Sequence, residues 1–305
     1  MQKNVDVAVC TFRRAELEQT LRSIAKLAVP VGVNVRIIVA DNDVAPSARE
    51  RVTALREAVP FEIVYVHCPA ANISIARNAC LDHATGDYLA FIDDDEVVSE
   101  DWLSRLLETA RLTQAEVVLG PVRAHYLPEA PGWMQKGDFH STLPVWVGGE
   151  IRTGYTCNVL LKLAAPSLAN RRFNLALGKS GGEDTEFFGN AFDAGARIAF
   201  ASNAWVHETV PEKRASFGWL ARRRFRMGQT HGRLLAVNAS ATSRPRQLVL
   251  AIAKSGFCAA ACVALGFVPV RRNRYALRAI MHAGVVSGLL GVREIQQYGA
   301  VEATS

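Results

Sequence analysis

Short apolar runs alternate with helical patterns along the first two thirds of the chain, and most of the runs stop at polar or charged residues. The runs cover residues 5–10, 33–40, 61–66, 88–92 and 117–122. Apolar side chains recur at helical spacing over residues 17–27, 72–84 and 102–112. Strands that alternate with helices are typical of parallel β/α units. Ligands of such sheets bind at the carboxyl ends of the strands, so the polar residues that end these runs are the first candidates for a functional site.

The periodicity fails between residues 126 and 153, where Pro, Gly and Trp become frequent. A segment of this length without a pattern predicts a long loop. We expect it to act as a lid that carries Trp133 and Trp146 over the site and excludes water.

The composition changes near residue 214. Residues 1–213 contain 21 Lys and Arg against 27 Asp and Glu, whereas residues 214–305 contain 14 against 2. Two apolar segments, 248–270 and 276–292, lie in this basic region. The first is long enough to span a membrane, but positive charge flanks it on both sides and gives no consistent orientation. We therefore predict an α/β domain over 1–213 and a helical membrane-associating region over 214–305.

The C-terminal helices are expected to lie in the plane of the membrane, or to re-enter it, at the cytoplasmic leaflet. A spanning helix and a buried helical pair of a soluble protein remain as alternatives. Nucleic acid is not expected as a partner, because the basic region has few aromatic side chains for base stacking and is dominated by apolar runs.

Length and cysteine usage exclude several classes of protein. With 305 residues, of which 50% are hydrophobic and 21% charged, the chain buries a full core and is neither disordered nor a disulfide scaffold. The six cysteines include no CxxC pair, which favours a reduced compartment and no structural zinc. Residues 1–12 lack the apolar segment of a signal peptide, so nothing at this end is expected to direct export.

An acidic cluster, Asp93-Asp94-Asp95-Glu96, directly follows an apolar strand. Because successive side chains of a strand alternate between faces, Asp93 and Asp95 are expected to point the same way. Two convergent carboxylates suit Mg²⁺ or Mn²⁺, ions that share their shell with the phosphates of a substrate. A nucleoside diphosphate is then the expected partner. The alternative is a solvated acidic turn before a helix.

A second acidic cluster occurs in the segment GGEDTE, residues 181–186, immediately before a helical pattern. Glu183 and Asp184 therefore lie at the N-terminal end of a helix. A carboxylate at this place acts as a general base when it reaches a hydroxyl group. The alternative is an aspartate that only caps the helix.

Polar residues end the neighbouring strands as well. Thr11 and Arg13 follow the first strand and Asp41 ends the second, so one edge of the sheet is expected to carry them together with the first acidic cluster. Asp41 is suited to accept a hydrogen bond from a base or ribose, and Arg77 to donate to an anion. Arg77 alternatively pairs with Asp87 or with another acidic neighbour.

Seven segments stand in a specific order over the first 230 residues. They are VAVCTFRR (7–14), VADND (39–43), NISIARN (72–78), FIDDDE (91–96), TGYTCNVLL (153–161), GGEDTEF (181–187) and VHETVP (206–211). In order and spacing they resemble the inverting family 2 glycosyltransferases of GT-A fold, and most closely the bacterial exopolysaccharide-assembly members such as the succinoglycan glucosyltransferases. The resemblance implies a mostly parallel, Rossmann-like nucleotide-binding sheet.

The resemblance assigns the donor-binding residues. Asp93-Asp94-Asp95 look like the DXD motif, with Asp95 as the ligand of Mn²⁺ or Mg²⁺, Asp93 near the ribose or the metal, and Asp94 at the nucleotide. Asp41 resembles the aspartate that binds the nucleobase, and Thr11 with Arg13 the loop around the base. Arg77 resembles the arginine near the nucleotide.

The resemblance also assigns the reacting groups. Asp184 looks like the catalytic base and Glu183 like a residue that contacts the acceptor. His207 resembles a late histidine that reaches the metal or diphosphate in some relatives, although a structural histidine is the alternative. Residues 222–226 stand where processive relatives carry QxxRW, but Gln and Trp are missing there, which counts against a processive polymerase.

The expected activity is that of a metal-dependent inverting hexosyltransferase. It moves a hexose, with UDP-glucose as the expected donor, to a hydroxyl of a polyprenyl-diphosphate-linked acceptor at the cytoplasmic face of the membrane. One alternative is a catalytically silent nucleotide-sugar-binding subunit of an assembly complex. Another is a sugar-phosphate nucleotidyltransferase, which is disfavoured because no glycine-rich phosphate loop follows the first strand.

Overall fold

The computed structural model describes residues 2–238 and 243–292, so residues 239–242 and 293–305 of the expected C-terminal region lie outside the described part. By its internal contacts the described chain divides into two compact units. The first comprises residues up to 124 together with 141–208, and the second comprises 125–140 together with the chain from 209 onward.

Twelve strands are present in the described residues. They are β1 (Lys3–Thr11), β2 (Val33–Asp41), β3 (Glu62–His67), β4 (Tyr88–Asp93), β5 (Glu96–Val98), β6 (Val117–Leu119), β7 (Val122–Tyr126), β8 (Trp146–Val147), β9 (Glu150–Ile151), β10 (Asn158–Lys162), β11 (Ile198–Phe200) and β12 (Val206–Val210). Seven of them form the central sheet in the order β11-β6-β10-β4-β1-β2-β3. In this sheet β10 runs antiparallel to both of its neighbours and every other pairing is parallel, which confirms the expected mostly parallel sheet.

Helices cover both faces of this sheet. The α-helices of the described residues are α1 (Leu17–Ile24), α2 (Arg49–Leu55), α3 (Ile73–His83), α4 (Trp102–Thr113), α5 (Gly132–Gly137), α6 (Glu183–Asp193), α7 (Phe217–Asn238), α8 (Ser243–Ala264) and α9 (Pro269–Leu289). Alternate residues of β1 enter different cores: Val7 and Val9 join the cluster on one face and Ala8 the cluster on the other. Burial on both faces explains why the strands read as nearly continuous apolar runs.

The single strand expected over residues 117–122 is wrong, because the chain forms β6 and β7 with a break at Gly120 and Pro121. The side chain of Asn158 is fully buried beside Gly120, and its amide donates to the carbonyls of Pro121 and Ala204 over 2.9 and 2.8 Å. A side chain at position 120 would collide with this amide. Pro121 also lacks the N–H that a continuing strand would use.

The loop expected between residues 126 and 153 contains regular structure. Helix α5 and the hairpin of β8 and β9 lie within it. Trp133 is part of α5, and its ring packs 5.0 Å from that of Phe139, so it belongs to the core of the second unit. Trp146 lies on β8 and is 57% exposed. A lid movement of this segment stays a prediction.

The second unit is built around a close contact between α7 and α9. Gly228 and Gly232 of α7 face Gly284 and Gly288 of α9, and a Cβ atom at any of the four would collide with a backbone carbonyl oxygen of the opposite helix. Small residues at such spacing let two helix backbones approach each other directly.

Helix α8 packs on α9 and exposes most of its apolar side chains. In the described residues it is the one helix that is long and apolar enough to cross a membrane, by length and composition alone, and only 11% of its apolar window is buried. The two expected apolar segments thus correspond to α8 and α9.

Candidate active site

The ends of three neighbouring strands meet at one edge of the central sheet, as the sequence predicts. Thr11 of β1 stands opposite Asp41 of β2, and Cys10 of β1 stands opposite Asp93 of β4. The threonine and the two aspartates therefore lie side by side across β4, β1 and β2, and residues 94–96 continue from this edge.

Thr11 and Asp94 bind each other. The hydroxyl of Thr11 donates to a carboxylate oxygen of Asp94 over 2.7 Å, and both side chains are buried. Burial, and next the charge of Asp95, raises the pKa of Asp94 to about 7. In this structure the pair ties the loop after β1 to the turn after β4. The nucleotide contacts assigned to these two residues stay predictions.

The turn after β4 is further held by Arg14 and Glu96. A guanidinium nitrogen of Arg14 lies 3.4 Å from a carboxylate oxygen of Asp95, and another lies 3.7 Å from Asp94. Glu96 is 1% exposed and accepts the backbone N–H of Asp93 over 2.8 Å. Burial and then the charge of Asp93 raise the pKa of Glu96. Sequence reasoning missed Arg14, although it stands next to Arg13 in the loop that follows the first strand.

The donor chemistry of this turn fits a hard divalent cation. In the parts of the chain that the structure describes, no group of three or more His, Cys, Asp and Glu side chains has the geometry to hold a metal ion. Mg²⁺ needs no such cage, since it is bound through one or two carboxylates together with substrate phosphates and water. Asp93 and Asp95 supply two hard oxygen donors, and neither carboxylate is fully buried. His207 lies on β12 opposite Val97 of β5, and its role at a metal stays a prediction.

Asp41 is a structural anchor in this arrangement. Its side chain is fully buried and accepts the N–H groups of Asp43 and Ala48 and the hydroxyl of Tyr65, over 3.1, 2.8 and 2.7 Å. These bonds fix the loop that follows β2. The nucleobase contact assigned to Asp41 stays a prediction, and it requires an acceptor site on the carboxylate beyond these three.

Arg13 lies on the rim of the site and pairs with a residue that the sequence reasoning missed. Two of its guanidinium nitrogens each lie 2.9 Å from a different carboxylate oxygen of Asp43. The side chain of Arg13 is 51% exposed, whereas that of Asp43 is almost completely buried. Hydrogen bonding to Arg13 holds the pKa of Asp43 below its usual value. The segment VADND, residues 39–43, contains a second aspartate two residues after Asp41, and this was the sequence signal for Asp43.

Arg77 and Glu183 form a buried ion pair that joins α3 to the start of α6. The two side chains are among the least exposed charges of the first unit, at 7% and 3%. The guanidinium of Arg77 also lies 5.6 Å from the ring centroid of Phe173. The alternative that Arg77 pairs with Asp87 or with another acidic neighbour is confirmed in its second form, because the partner is Glu183. The side chain of Asp87 accepts the backbone N–H of Asn4 instead.

This ion pair leaves part of Glu183 unsatisfied. One carboxylate oxygen pairs with Arg77, while the other is buried and has no hydrogen-bond partner in the described residues. The acceptor contact assigned to Glu183 stays a prediction, as does the nucleotide contact of Arg77. The ion pair with Arg77 holds Glu183, the first residue of α6, in place.

Asp184 follows in the first turn of α6. The alternative in which it caps this helix is wrong, because the capping position is Gly182, which has a φ of 95° that favours glycine. A carboxylate oxygen of Asp184 accepts the N–H of Thr185 over 2.7 Å. Burial, and then the charge of Glu183, raises the pKa of Asp184, which is the direction that suits a general base working near neutral pH.

The two acidic clusters share one neighbour, Cys157, which immediately precedes β10. Burial raises the pKa of its thiol, and the charges of Glu96, Asp93, Asp184 and, more weakly, Glu208 raise it further. Carboxylates from both clusters therefore lie within electrostatic reach of a single thiol. Sequence reasoning missed Cys157, Glu96 and Glu208 as site residues, although each of the three stands inside a segment that resembles the family.

Known proteins share sequence with most of this chain. Residues 6–165 match the family model Glycosyl transferase family 2. The chain is 65% identical over 302 residues to the succinoglycan biosynthesis protein ExoM of Rhizobium meliloti, covering 99% of this chain and 98% of that protein. It is 25% identical over 253 residues to a glucosyl-dolichyl phosphate glucuronosyltransferase of Haloferax volcanii, covering 73% and 75%.

Solved structures share the fold. The mannosyltransferase PcManGT of Pyrobaculum calidifontis, in complex with GDP-Man and Mn²⁺, gives a TM-score of 0.61 at 19% identity over 96% of this chain and 89% of that one. TarS of S. aureus, residues 1–349 in complex with UDP-GlcNAc, gives 0.54 at 14% identity over 98% and 99%. At these identities the likeness concerns the fold alone, which is the GT-A fold with a mostly parallel sheet. The chain belongs to glycosyltransferase family 2.

Proposed function

We propose that this chain transfers glucose from UDP-glucose to a hydroxyl of a lipid-linked oligosaccharide, with inversion, during the assembly of a succinoglycan-like exopolysaccharide. The observation that carries the proposal is the meeting of Thr11, Asp41 and Asp93 at one sheet edge in a chain 65% identical to a succinoglycan biosynthesis protein. The polymer follows from that relative, and the sugar from the resemblance of the sequence to succinoglycan glucosyltransferases.

The strand edge is the donor side of the proposed reaction. Asp93 and Asp95 hold Mg²⁺ or Mn²⁺, which supplies positive charge next to the departing nucleoside diphosphate. Arg13 is half exposed on the rim and faces the base. Asp43 holds its guanidinium, and Asp41 fixes the loop that carries Asp43. The hydrogen-bonded pair of Thr11 and Asp94 forms the bottom of the site, between the base and the diphosphate.

The start of α6 is the acceptor side. Asp184 takes the proton from the attacking hydroxyl of the acceptor, and its raised pKa favours this transfer. The ion pair of Arg77 and Glu183 keeps the first turn of α6 in position, so that the base is preorganised. With the base on one face of the sugar and the leaving group on the other, a single displacement inverts the anomeric carbon, the logic of inverting glycoside hydrolysis.

The basic region 214–305 is the part we assign to the membrane, and 1–213 is the part we assign to transfer. Residues 214–292 contain 13 Lys and Arg and no Asp or Glu. Such a surface is attracted to the anionic cytoplasmic leaflet. An acceptor on a polyprenyl diphosphate lies at this leaflet, so a peripheral or re-entrant association raises the rate of encounter.

The test is donor cleavage by the purified full-length protein in detergent. UDP-, GDP- and dTDP-sugars are each incubated with Mn²⁺ or Mg²⁺, and with EDTA as the control. We expect metal-dependent release of UDP from UDP-glucose. Release from a different sugar nucleotide would correct the donor, and activity that persists in EDTA would contradict the metal.

A matched pair of variants locates the site. Asp95→Asn is expected to abolish metal-dependent release, because it removes a charged ligand from the strand edge. Asp82→Asn changes an exposed aspartate of the first unit, whose ion pair with Arg172 lies at the surface, and should leave release unchanged. Equal activity of the two variants would contradict the site.

A further inference from the structure

A groove of about 520 Å³ lies between α8 and α9 in the second unit. Apolar side chains line it, among them Leu250, Phe257 and Met281. Three basic side chains line it as well: Lys254 from α8, and Arg278 and His282 from α9. The groove therefore combines apolar and cationic side chains, which is the chemistry of a site for an amphiphilic anion.

The cations of the groove are not paired with a carboxylate in the part of the chain that the structure describes. Among the residues that the structure describes, neither Lys254 nor Arg278 forms an ion pair. The pKa of His282 is lowered by burial and then by the charge of Lys254, with Arg278 adding to the effect, so the three groups lie close together. Like charges gathered without a carboxylate leave room for an external anion that accepts charge-assisted hydrogen bonds.

The surface next to the groove is apolar and exposed. Along α8 and the turn that follows it, the exposed fractions are 64% for Val249, 54% for Ile252, 82% for Val263 and 100% for Phe267. Phe257 belongs both to this surface and to the groove and is 68% exposed. A continuous apolar surface of this kind on a basic helix is typical of a helix that lies in the membrane interface.

We propose that the groove between α8 and α9 binds the phosphate group of an anionic membrane lipid, with Lys254 and Arg278 as its ligands and an acyl chain along Leu250 and Phe257. The proposal rests on the proposed association with the membrane. A bilayer lipid is the proposed occupant, because a bilayer would also cover the exposed apolar side of α8. A single acceptor lipid would leave that side in water.

The experiment measures binding of a short-chain phosphatidylglycerol, below its micellar concentration, to the full-length protein in non-ionic detergent. The double variant Lys254→Gln/Arg278→Gln removes both proposed ligands. Its matched control, Arg246→Gln/Arg272→Gln, removes the same charge from exposed arginines of the same helices that do not line the groove. All four side chains are exposed, so neither variant disturbs the core.

We expect saturable binding of one lipid to the wild type and to the control. In the groove variant we expect a loss of at least about tenfold, because both charge-assisted hydrogen bonds to the phosphate are removed. Flotation with phosphatidylcholine vesicles, with and without phosphatidylglycerol, is expected to follow the same order. An equal loss in both variants would show diffuse attraction and overturn the site.

Three other results would also overturn the proposal. Inorganic phosphate that binds as tightly as the lipid would make this a site for free phosphate. Farnesyl diphosphate that displaces phosphatidylglycerol at lower concentration would make the acceptor lipid the occupant. Binding to neither lipid nor vesicles would remove the membrane association as well, and the donor-release experiment would still decide the transfer reaction by itself.

Discussion

The two units of this protein differ in how deeply they bury their charged side chains. In the first unit, charged side chains such as Asp41, Glu96 and Glu183 are almost fully buried and are held by hydrogen bonds or ion pairs. In the second unit the charged side chains of α8 and α9 stay near the surface, and the helices meet through glycines. Buried networks fix a geometry, whereas backbone contact between helices leaves their outer surfaces to a partner.

The charges of the two units differ in the same sense. In the first unit, residues 1–124 and 141–208 contain 24 Asp and Glu against 19 Lys and Arg, whereas residues 125–140 and 209–292 of the second unit contain 3 against 15. An excess of carboxylates at a strand edge favours a cation and the phosphates that it carries, while an excess of cations on an apolar helix favours an anionic surface. We infer that each unit is completed by a ligand of opposite charge.

The largest effect is expected in the first unit, for Asp184→Asn. Removal of the proposed base should lower turnover by roughly 10²–10⁴-fold, since general-base catalysis contributes about this much, while binding of UDP stays unchanged. Glu186→Gln is the matched control in the same helical turn, where Glu186 only accepts a surface hydrogen bond from Asn174. Turnover and calorimetric binding of UDP measure the two effects, and retained turnover in the asparagine variant would remove Asp184 from the role.

The next largest effect is the difference in stability between breaking a buried ion pair and breaking a surface ion pair. Arg77→Met leaves Glu183 charged and buried without its partner, so the free energy of unfolding should fall by about 3–5 kcal/mol. Arg105→Met breaks a surface pair with Asp101, in which both side chains are about half exposed, and should cost less than about 1 kcal/mol. Denaturant titration of the two variants measures the difference. Similar losses would mean that Arg77 contributes little beyond its packing.

Local pattern made the sheet and its polar edge predictable. Alternating apolar runs marked β1, β2 and β4, and the rule that ligands meet the carboxyl ends of strands brought Thr11, Asp41 and Asp93 together. Patterns of this kind act over a few residues, so they locate strand ends well.

Contacts between distant segments were beyond such reasoning. Arg77 and Glu183 are 106 residues apart, and no local signal connects them. The break at Gly120 depends on the buried amide of Asn158, which arrives from another strand. In the second unit the glycine spacing was visible in the sequence, but nothing in it identified which helix each pair of glycines faces.

The packing of the second unit is tested by Gly228→Ala. The added methyl group would collide with the backbone carbonyl of Met281, so we expect a loss of about 1–3 kcal/mol, as for an overpacked core. Gly256→Ala is the control on α8, where nothing lies near the added atom, and it should be neutral or stabilising by roughly 0.5–1 kcal/mol. The helical circular dichroism signal during denaturant titration measures both. Equal stability would contradict direct contact between the helix backbones.

The smallest effect concerns a buried polar ring of the second unit, that of His140. It stacks 5.3 Å from Trp219, and its nitrogens contact the hydroxyl of Tyr126 and the carbonyl of Arg214 over 3.0 and 3.1 Å. Burial is the main reason that the pKa of His140 falls to about 4, and the charges of nearby arginines lower it further. The folded protein thus holds this ring neutral at pH values where the unfolded chain protonates it.

The sign of the pH effect follows from this difference. Because the pKa of His140 is lower in the folded state than in the unfolded state, its contribution is complete above the unfolded value near 6.5 and is lost as the pH falls toward 4. Between pH 7.5 and 5.5 we expect a loss of about 1 kcal/mol that is absent from His140→Phe, whose ring keeps the stacking on Trp219. His83→Gln, at the surface of the first unit, should retain the wild-type slope. If His140→Phe and the wild type lose stability in parallel, this ring is not the titrating group, and the second unit has no counterpart to the buried network of the first at this position.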